Sequence, residues 1–220
     1  MPVRELACLR IKNGQPLISP ANQQTLRKLR NGIREQARYT NSATHVLSQI
    51  EDPSVFYILG KWESVSQHVD EWIPSESNQA IMTGLAKDVE LVFMEHLDIP
   101  SSDATGNPGE VPLTADVLAI GRYFISTGDK EVFQGTFDET KHHLETFGGG
   151  ERICGAWRED KEVDKEGNEK EEFVLFSGWT SVDEHMKFAE SEGFKEFAKI
   201  KAFLGGAEIK HATVVFSSHP

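Results

Sequence analysis

Trp62-Glu63-Ser64-Val65-Ser66-Gln67-His68 returns 117 residues later as Trp179-Thr180-Ser181-Val182-Asp183-Glu184-His185. Trp, Ser, Val and His keep their places. An apolar run leads into each copy, Phe56 to Leu59 in the first and Phe173 to Phe176 in the second. A phrase repeated at about half the length of a 220-residue chain marks two copies of one folding unit in tandem. Within each copy, the Ser followed three residues later by Gln67 or Glu184 is a capping box. Its hydroxyl accepts from one orphan amide at a helix start, and the longer side chain reaches back to another. The phrase therefore reads as a strand end, a cap and a helix start.

The same order of elements extends outward on both sides. Residues 4–11 read as a strand closed by Asn13-Gly14, and Ser19-Pro20 opens a helix to about Arg38 with Leu26, Leu29, Ile33 and Ala37 at helical spacing. Thr44 to Gln49 and Val55 to Trp62 follow as strands, then the helix capped by Ser64 and a fourth strand, Val89 to Leu97. The second half repeats this. Asp116 to Ser126 is a strand, Asp129 to Phe147 a helix stopped by Gly148-Gly149-Gly150, and Arg152 to Arg158 a strand. A charged hairpin tip spans Glu159 to Glu171, Phe173 to Trp179 is a strand, Val182 to Phe203 a helix, and Lys210 to Phe216 the last strand.

Each half is β-α-β-β-α-β, the ferredoxin-like arrangement, so the fold class is α+β with two ferredoxin-like repeats. The expected boundaries are 1–99 for the first repeat, 100–115 for a Pro-, Gly- and Ser-rich linker, and 116–220 for the second. Phe173, Leu175 and Trp179 lie on one face of the third strand and Val174 and Phe176 on the other. A strand apolar on both sides is buried on both sides. The expectation is two repeats packed sheet to sheet as an intramolecular pseudo-dimeric α/β barrel.

The net charge of −12 argues against a nucleic-acid partner, which needs a basic face. The local exception is Arg27, Lys28, Arg30, Arg34 and Arg38, a basic helix that reads first as a solvated face and second as a site for an acidic partner or anionic ligand. No apolar run approaches 18 residues, so no membrane span is expected. Cys8 and Cys154 fall at non-matching repeat positions without a CxxC spacing. They point to a reducing, cytoplasmic setting and to no disulfide framework. The stretch from Met1 to Leu6 lacks the apolar core of a secretory signal.

For chemistry, the candidates are His68 and His185. Each lies one turn inside a helix, at the edge of an apolar stripe, where a near-neutral pKa would suit proton transfer if the ring faces a cleft. The blander reading is a satisfied boundary residue. Trp62, Tyr57, Trp179 and Tyr123 could wall a flat ligand. The second half, with more aromatic residues on its helices, is the favoured location. His142-His143 is an adjacent pair whose side chains diverge by about 100° on a helix, so it offers no two-ligand metal face. No HExxH, GxGxxG, GxxxxGK[ST] or GxSxG motif occurs.

The phrase from Phe173 through Trp179, Ser181 and His185 to Ser191 and Phe194 resembles the third strand and second helix of the antibiotic-biosynthesis-monooxygenase-like, or dimeric α/β barrel, superfamily. Trp179, Ser191 and Phe194 match its pattern. Trp62, Ser64 and Ser75 match more loosely. The resemblance implies a small-molecule enzyme of the cofactor-independent monooxygenase type, or a related cyclase or decarboxylase. It would act on a flat aromatic or polyketide-like substrate held between helices and sheet, with no cofactor and no metal. Haem-degrading members carry an Asn on the first strand and a His late in the second helix, and this sequence has neither. The alternative is a non-catalytic ligand-binding or scaffold protein of the same fold, its partner a small hydrophobic molecule or protein. Further homo-oligomerisation of the fused chain stays open.

Overall fold

The computed structural model describes residues 1–99, 110–147, 153–163, 167 and 169–220. Most of the expected linker, the Gly148-Gly149-Gly150 stop, and residues 164–166 and 168 of the hairpin tip lie outside them. The chain divides into two compact units, Met1–Asp98 with Ala212–Pro220, and Ile99–His211.

The first unit holds β1 (Val3–Ile11), α1 (Gln23–Thr40), β2 (Thr44–Gln49), β3 (Val55–Trp62), α2 (Glu76–Leu85) and β4 (Val89–Leu97). The strand order is β4-β1-β3-β2, with antiparallel pairing throughout. The second unit holds β5 (Val117–Ile125), α3 (Lys130–Phe147), β6 (Ile153–Trp157), β7 (Glu171–Trp179), α4 (Val182–Phe188) and α5 (Glu192–Phe197). With the last strand, β8 (Leu204–Ser218), its order is β8-β5-β7-β6, the same fourth-first-third-second sequence. Two copies of the β-α-β-β-α-β unit are therefore present. Among the described residues no helix is long and apolar enough to cross a membrane.

The last strand, β8 (Leu204–Ser218), is longer than its apolar pattern suggests. The pair Gly205-Gly206 reads as a break, yet neither residue takes a positive φ and the backbone runs through them extended. Residues from Ala212 onward lie along β2 and count with the first unit.

The segments after each third strand also differ from single long helices. Ser191 caps a new helix by accepting from the Phe194 amide at 3.1 Å, which splits the expected Val182 to Phe203 helix into α4, α5 and the 3-10 turn Ala198–Phe203. In the first unit the segment Gln67–Trp72 winds as a π-helix, with Ile73 N donating to His68 O at 2.9 Å, before Ser75 caps α2. Seven positions separate His68 from Ser75, but six separate His185 from Ser191. The additional residue is taken up as one wide turn.

The core of each unit lies between its helices and the sheet. In the first, Leu29, Ile33, Phe56, Ile58 and Leu85 meet there. In the second, Phe133, Phe137, Phe173, Phe188 and Phe197 do, each such burial contributing roughly 1.5–3 kcal/mol. The third strands are buried on both faces, as their double apolar pattern requires.

The Phe173 ring packs edge-on to Phe133 and Phe137, with centroids 5.2 and 4.9 Å apart, and it fills the space a Cβ on Gly155 would need. Gly155→Ala should therefore lower stability by about 1–3 kcal/mol. Gly135→Ala, at an exposed α3 position with open space, should raise it by about 0.5–1 kcal/mol. Chemical denaturation of both variants checks the pair, and a loss at Gly135 with none at Gly155 would contradict this packing.

Candidate functional site

The repeated phrase builds the same local structure twice. Gln67 N donates to Ser64 Oγ at 3.0 Å while Glu63 N donates to Gln67 Oε1 at 2.9 Å. In the second copy Glu184 N donates to Ser181 Oγ at 3.1 Å and Thr180 N to Glu184 Oε2 at 2.7 Å. Both capping boxes are closed, and each fixes the first helical turn over the Trp that ends the strand. His68 then stacks on Trp62 with centroids 4.0 Å apart and planes 8° from parallel. His185 stacks on Trp179 at 4.6 Å and 21°.

Each His reaches the last strand of its own repeat. His68 Nδ1 lies 2.8 Å from His96 Nε2, and His185 Nδ1 lies 2.8 Å from His211 Nε2. One ring N–H donates to the other ring nitrogen in each pair. His96 and His211 were absent from the sequence-derived candidates. The signal existed, since each fourth strand carries one buried His, but a lone His in a strand says nothing until its partner helix is placed.

Beyond this pair the repeats diverge. In the first, Glu5 on β1 lies opposite His96 on β4 and opposite Gly60 on β3. Glu5 Oε2 accepts from Trp62 Nε1 at 2.9 Å and from Gln36 Nε2 at 2.7 Å, and lies 4.0 Å from His68 Nε2. The carboxyl is fully buried. Burial pushes its pKa up, against the hydrogen bonds from Trp62 and Gln36 and the nearby His96, which pull it down. Gly60 makes the seat, because a Cβ there would come within 2.6 Å of Gln36 Nε2 and 3.0 Å of Glu5 Oε2.

In the second repeat the matching positions are Ala119 and Ser177, and Trp179 Nε1 donates instead to Ser177 Oγ at 2.8 Å. His185 is thus left with His211 and no carboxylate at the Glu5 position. Its pKa is lowered to about 4, by burial first and then by His211.

A cavity of about 300 Å³ opens beside the first constellation, between α1, the π-helical turn, α2 and the sheet. Glu5, Gln36, His68 and Trp72 line it together with Ile33 and Ile58. Asn78 and Gln79, also in its wall, donate to Ile73 O at 3.0 and 2.8 Å and so tie the wide turn to α2. Tyr39 covers Trp72 from outside, ring centroids 4.9 Å apart, and donates to Glu71 at 3.1 Å.

The space between α3 and its sheet in the second repeat is occupied by Phe133, Phe137, Phe173 and Phe197. The aromatic richness that made this half attractive in the sequence is core packing. Tyr123 belongs to that core, its ring over Gly121 and its phenol pushed up to about 12 by burial. Tyr57 alternates with Phe56 and Ile58, so it stands on the face away from the cavity, where it accepts from Gln49 Nε2 at 2.6 Å. The structure brings Trp62 and His68 together at the cavity and Trp179 and His185 together in the second repeat. Among the described residues no group of three or more His, Cys, Asp or Glu is arranged to hold a metal ion.

No protein-family model matches the chain, and no curated protein is similar to it in sequence. Solved structures do match over nearly its whole length. A proposed monooxygenase from Lactobacillus acidophilus NCFM superposes with a TM-score of 0.62 at 9% identity, covering 99% of this chain and 96% of that one. An anthrone oxidase-like protein gives 0.64 at 14% identity, with 98% and 92% covered. A heme-binding protein from Thermus thermophilus gives 0.61 at 8% identity, with 98% and 91% covered. At these identities it is the fold that is shared, and the chain has the tandem, monooxygenase-like fold that its repeated phrase resembles.

Proposed function

We propose that the chain is a small-molecule enzyme of the cofactor-independent monooxygenase type, and that its working site is the cavity of the first repeat. The observation that carries this reading is the buried row Glu5, His68, His96 beside a largely apolar cavity. A proton acceptor beside an apolar pocket is what carbanion chemistry needs. The anthrone oxidase-like and monooxygenase neighbours support the same class of reaction.

In this scheme a flat aromatic or polyketide-like substrate presents an activated CH₂ to His68, whose other nitrogen is held by His96. His68 takes one proton. The carbanion gives its electrons to dioxygen, forming a C–O bond and, with a proton returned, a hydroperoxide. Loss of water leaves a carbonyl, so CH₂ and O₂ become C=O and H₂O. Glu5 holds the Trp62 indole and sets the charge beside His68. His185, with Trp179 and Tyr123, belongs to the packing of the second repeat.

Oxygen uptake with anthrone-type substrates tests the assignment. His68→Gln should lower kcat by about 10²–10⁴, and His185→Gln should leave it within a few-fold. The reverse ranking would sink the proposal. Substrate binding without turnover in any variant would instead favour the non-catalytic alternative.

Stability against pH tests the roles of the two buried groups. The lowered pKa of His185 means the unfolded state binds the extra proton between pH 6.5 and about 4. Its neutral burial therefore stabilises fully above pH 6.5, and the contribution, at most about 3 kcal/mol, is lost as pH falls through that window. The difference between wild type and His185→Gln should shrink accordingly. Glu5 has the opposite sign. Its raised pKa makes its contribution complete below pH 4.5 and lost as pH rises, so the stability of Glu5→Gln relative to wild type should increase with pH. Denaturation midpoints from pH 4 to 8 read both slopes.

A further inference from the structure

The cavity of the first repeat is not closed at the end far from Glu5. Leu9 lies four residues further along β1, about 13 Å from Glu5 at strand spacing, and pairs with Leu91 on β4. A second, shallower hollow of about 370 Å³ begins there, between α2 and β4. Leu9, Met82, Leu85 and Leu91 line both spaces, and Thr83, Ala86 and Val89 carry the outer one onward. These four side chains therefore form a stretch of wall common to both hollows. Met82 and Leu91 at the junction are 46% and 53% exposed, large apolar side chains held open to solvent at an edge strand.

The polar groups are distributed unevenly along this path. Glu5, Gln36 and His68 gather at the inner end, while the amides of Asn78 and Gln79 are committed to Ile73 O. The outer stretch offers Thr83 as its one hydroxyl among apolar side chains. A site with a proton acceptor at one end and an apolar trough at the other matches a ligand built the same way.

We infer that the substrate class of this site is an aromatic or enolic head carrying an unbranched apolar arm. The head sits against Glu5 and His68, and the arm leaves between α2 and β4 over Met82 and Leu91. This rests on the first repeat holding the binding site and deepens that reading. The basis is geometric: the wall shared by the two hollows, register along β1 and β4, and separation of polar from apolar lining.

The test is calorimetric binding of a series of 4-n-alkylphenols, from methyl to hexyl, to the full chain. Each added methylene should tighten binding about two- to fourfold, as burial of CH₂ groups along the trough requires. Leu91→Glu and Met82→Glu, both at half-exposed positions, should flatten that dependence and leave 4-methylphenol within about twofold of wild type. Affinity independent of arm length, or variants that weaken the short and long phenols equally, would overturn the inference. The catalytic reading fails separately: a length-dependent series with no oxygen uptake leaves the two-part site standing, and uptake with arm-independent binding does the reverse.

Discussion

A tryptophan buried at the end of the third strand brings an indole N–H that must find an acceptor out of reach of water. Trp62 and Trp179 are 1% and 2% exposed, so neither can leave that donor to solvent. The acceptor each repeat provides decides much of the rest. Where it is Glu5, a carboxyl is drawn into the interior, a second donor from Gln36 is recruited, and a neighbouring His is brought within range of charge. Where it is Ser177, the need is met locally, and the space above can be filled with phenylalanine. The Trp–His stack is shared by both repeats. The polar environment around it is not.

This asymmetry explains how a duplicated fold can hold one site. The His pairs are geometrically alike, 2.8 Å in both repeats, so the pair itself does not distinguish them. What distinguishes the first is a buried carboxyl, smaller aliphatic side chains on α1 and α2, and the wide turn that sets Trp72 and Ile73 in the cavity wall. Burial moves the two groups in opposite senses, raising the Glu5 acid and lowering the His185 base.

The repeat, the element order and both capping boxes were legible in the sequence because they rest on local chemistry: a hydroxyl and a carboxamide or carboxylate three residues apart, and apolar spacing of two or nearly four. The pairing of His68 with His96 was not, because it joins residues 28 positions apart across a strand order that spacing does not encode. Glu5 read as one polar residue in a strand, and nothing in Arg4-Glu5-Leu6-Ala7 says which face it takes. The preference for the second repeat came from counting aromatic residues. Phe133 and Phe137 show why counting misleads, since the same rings that could line a cleft can equally close it.

Gly60 and Ser177 occupy the same place in the two repeats, and they bear on how such copies drift apart. A side chain at position 60 would press on the ends of Gln36 and Glu5, so the acid sits as it does because its neighbour is bare. In the other copy, a glutamate at position 119 would enter a site where Ser177 already accepts from the indole. Each acceptor is thus matched to what stands opposite it on the neighbouring strand, so a change at position 5 or 119 is felt first at position 60 or 177.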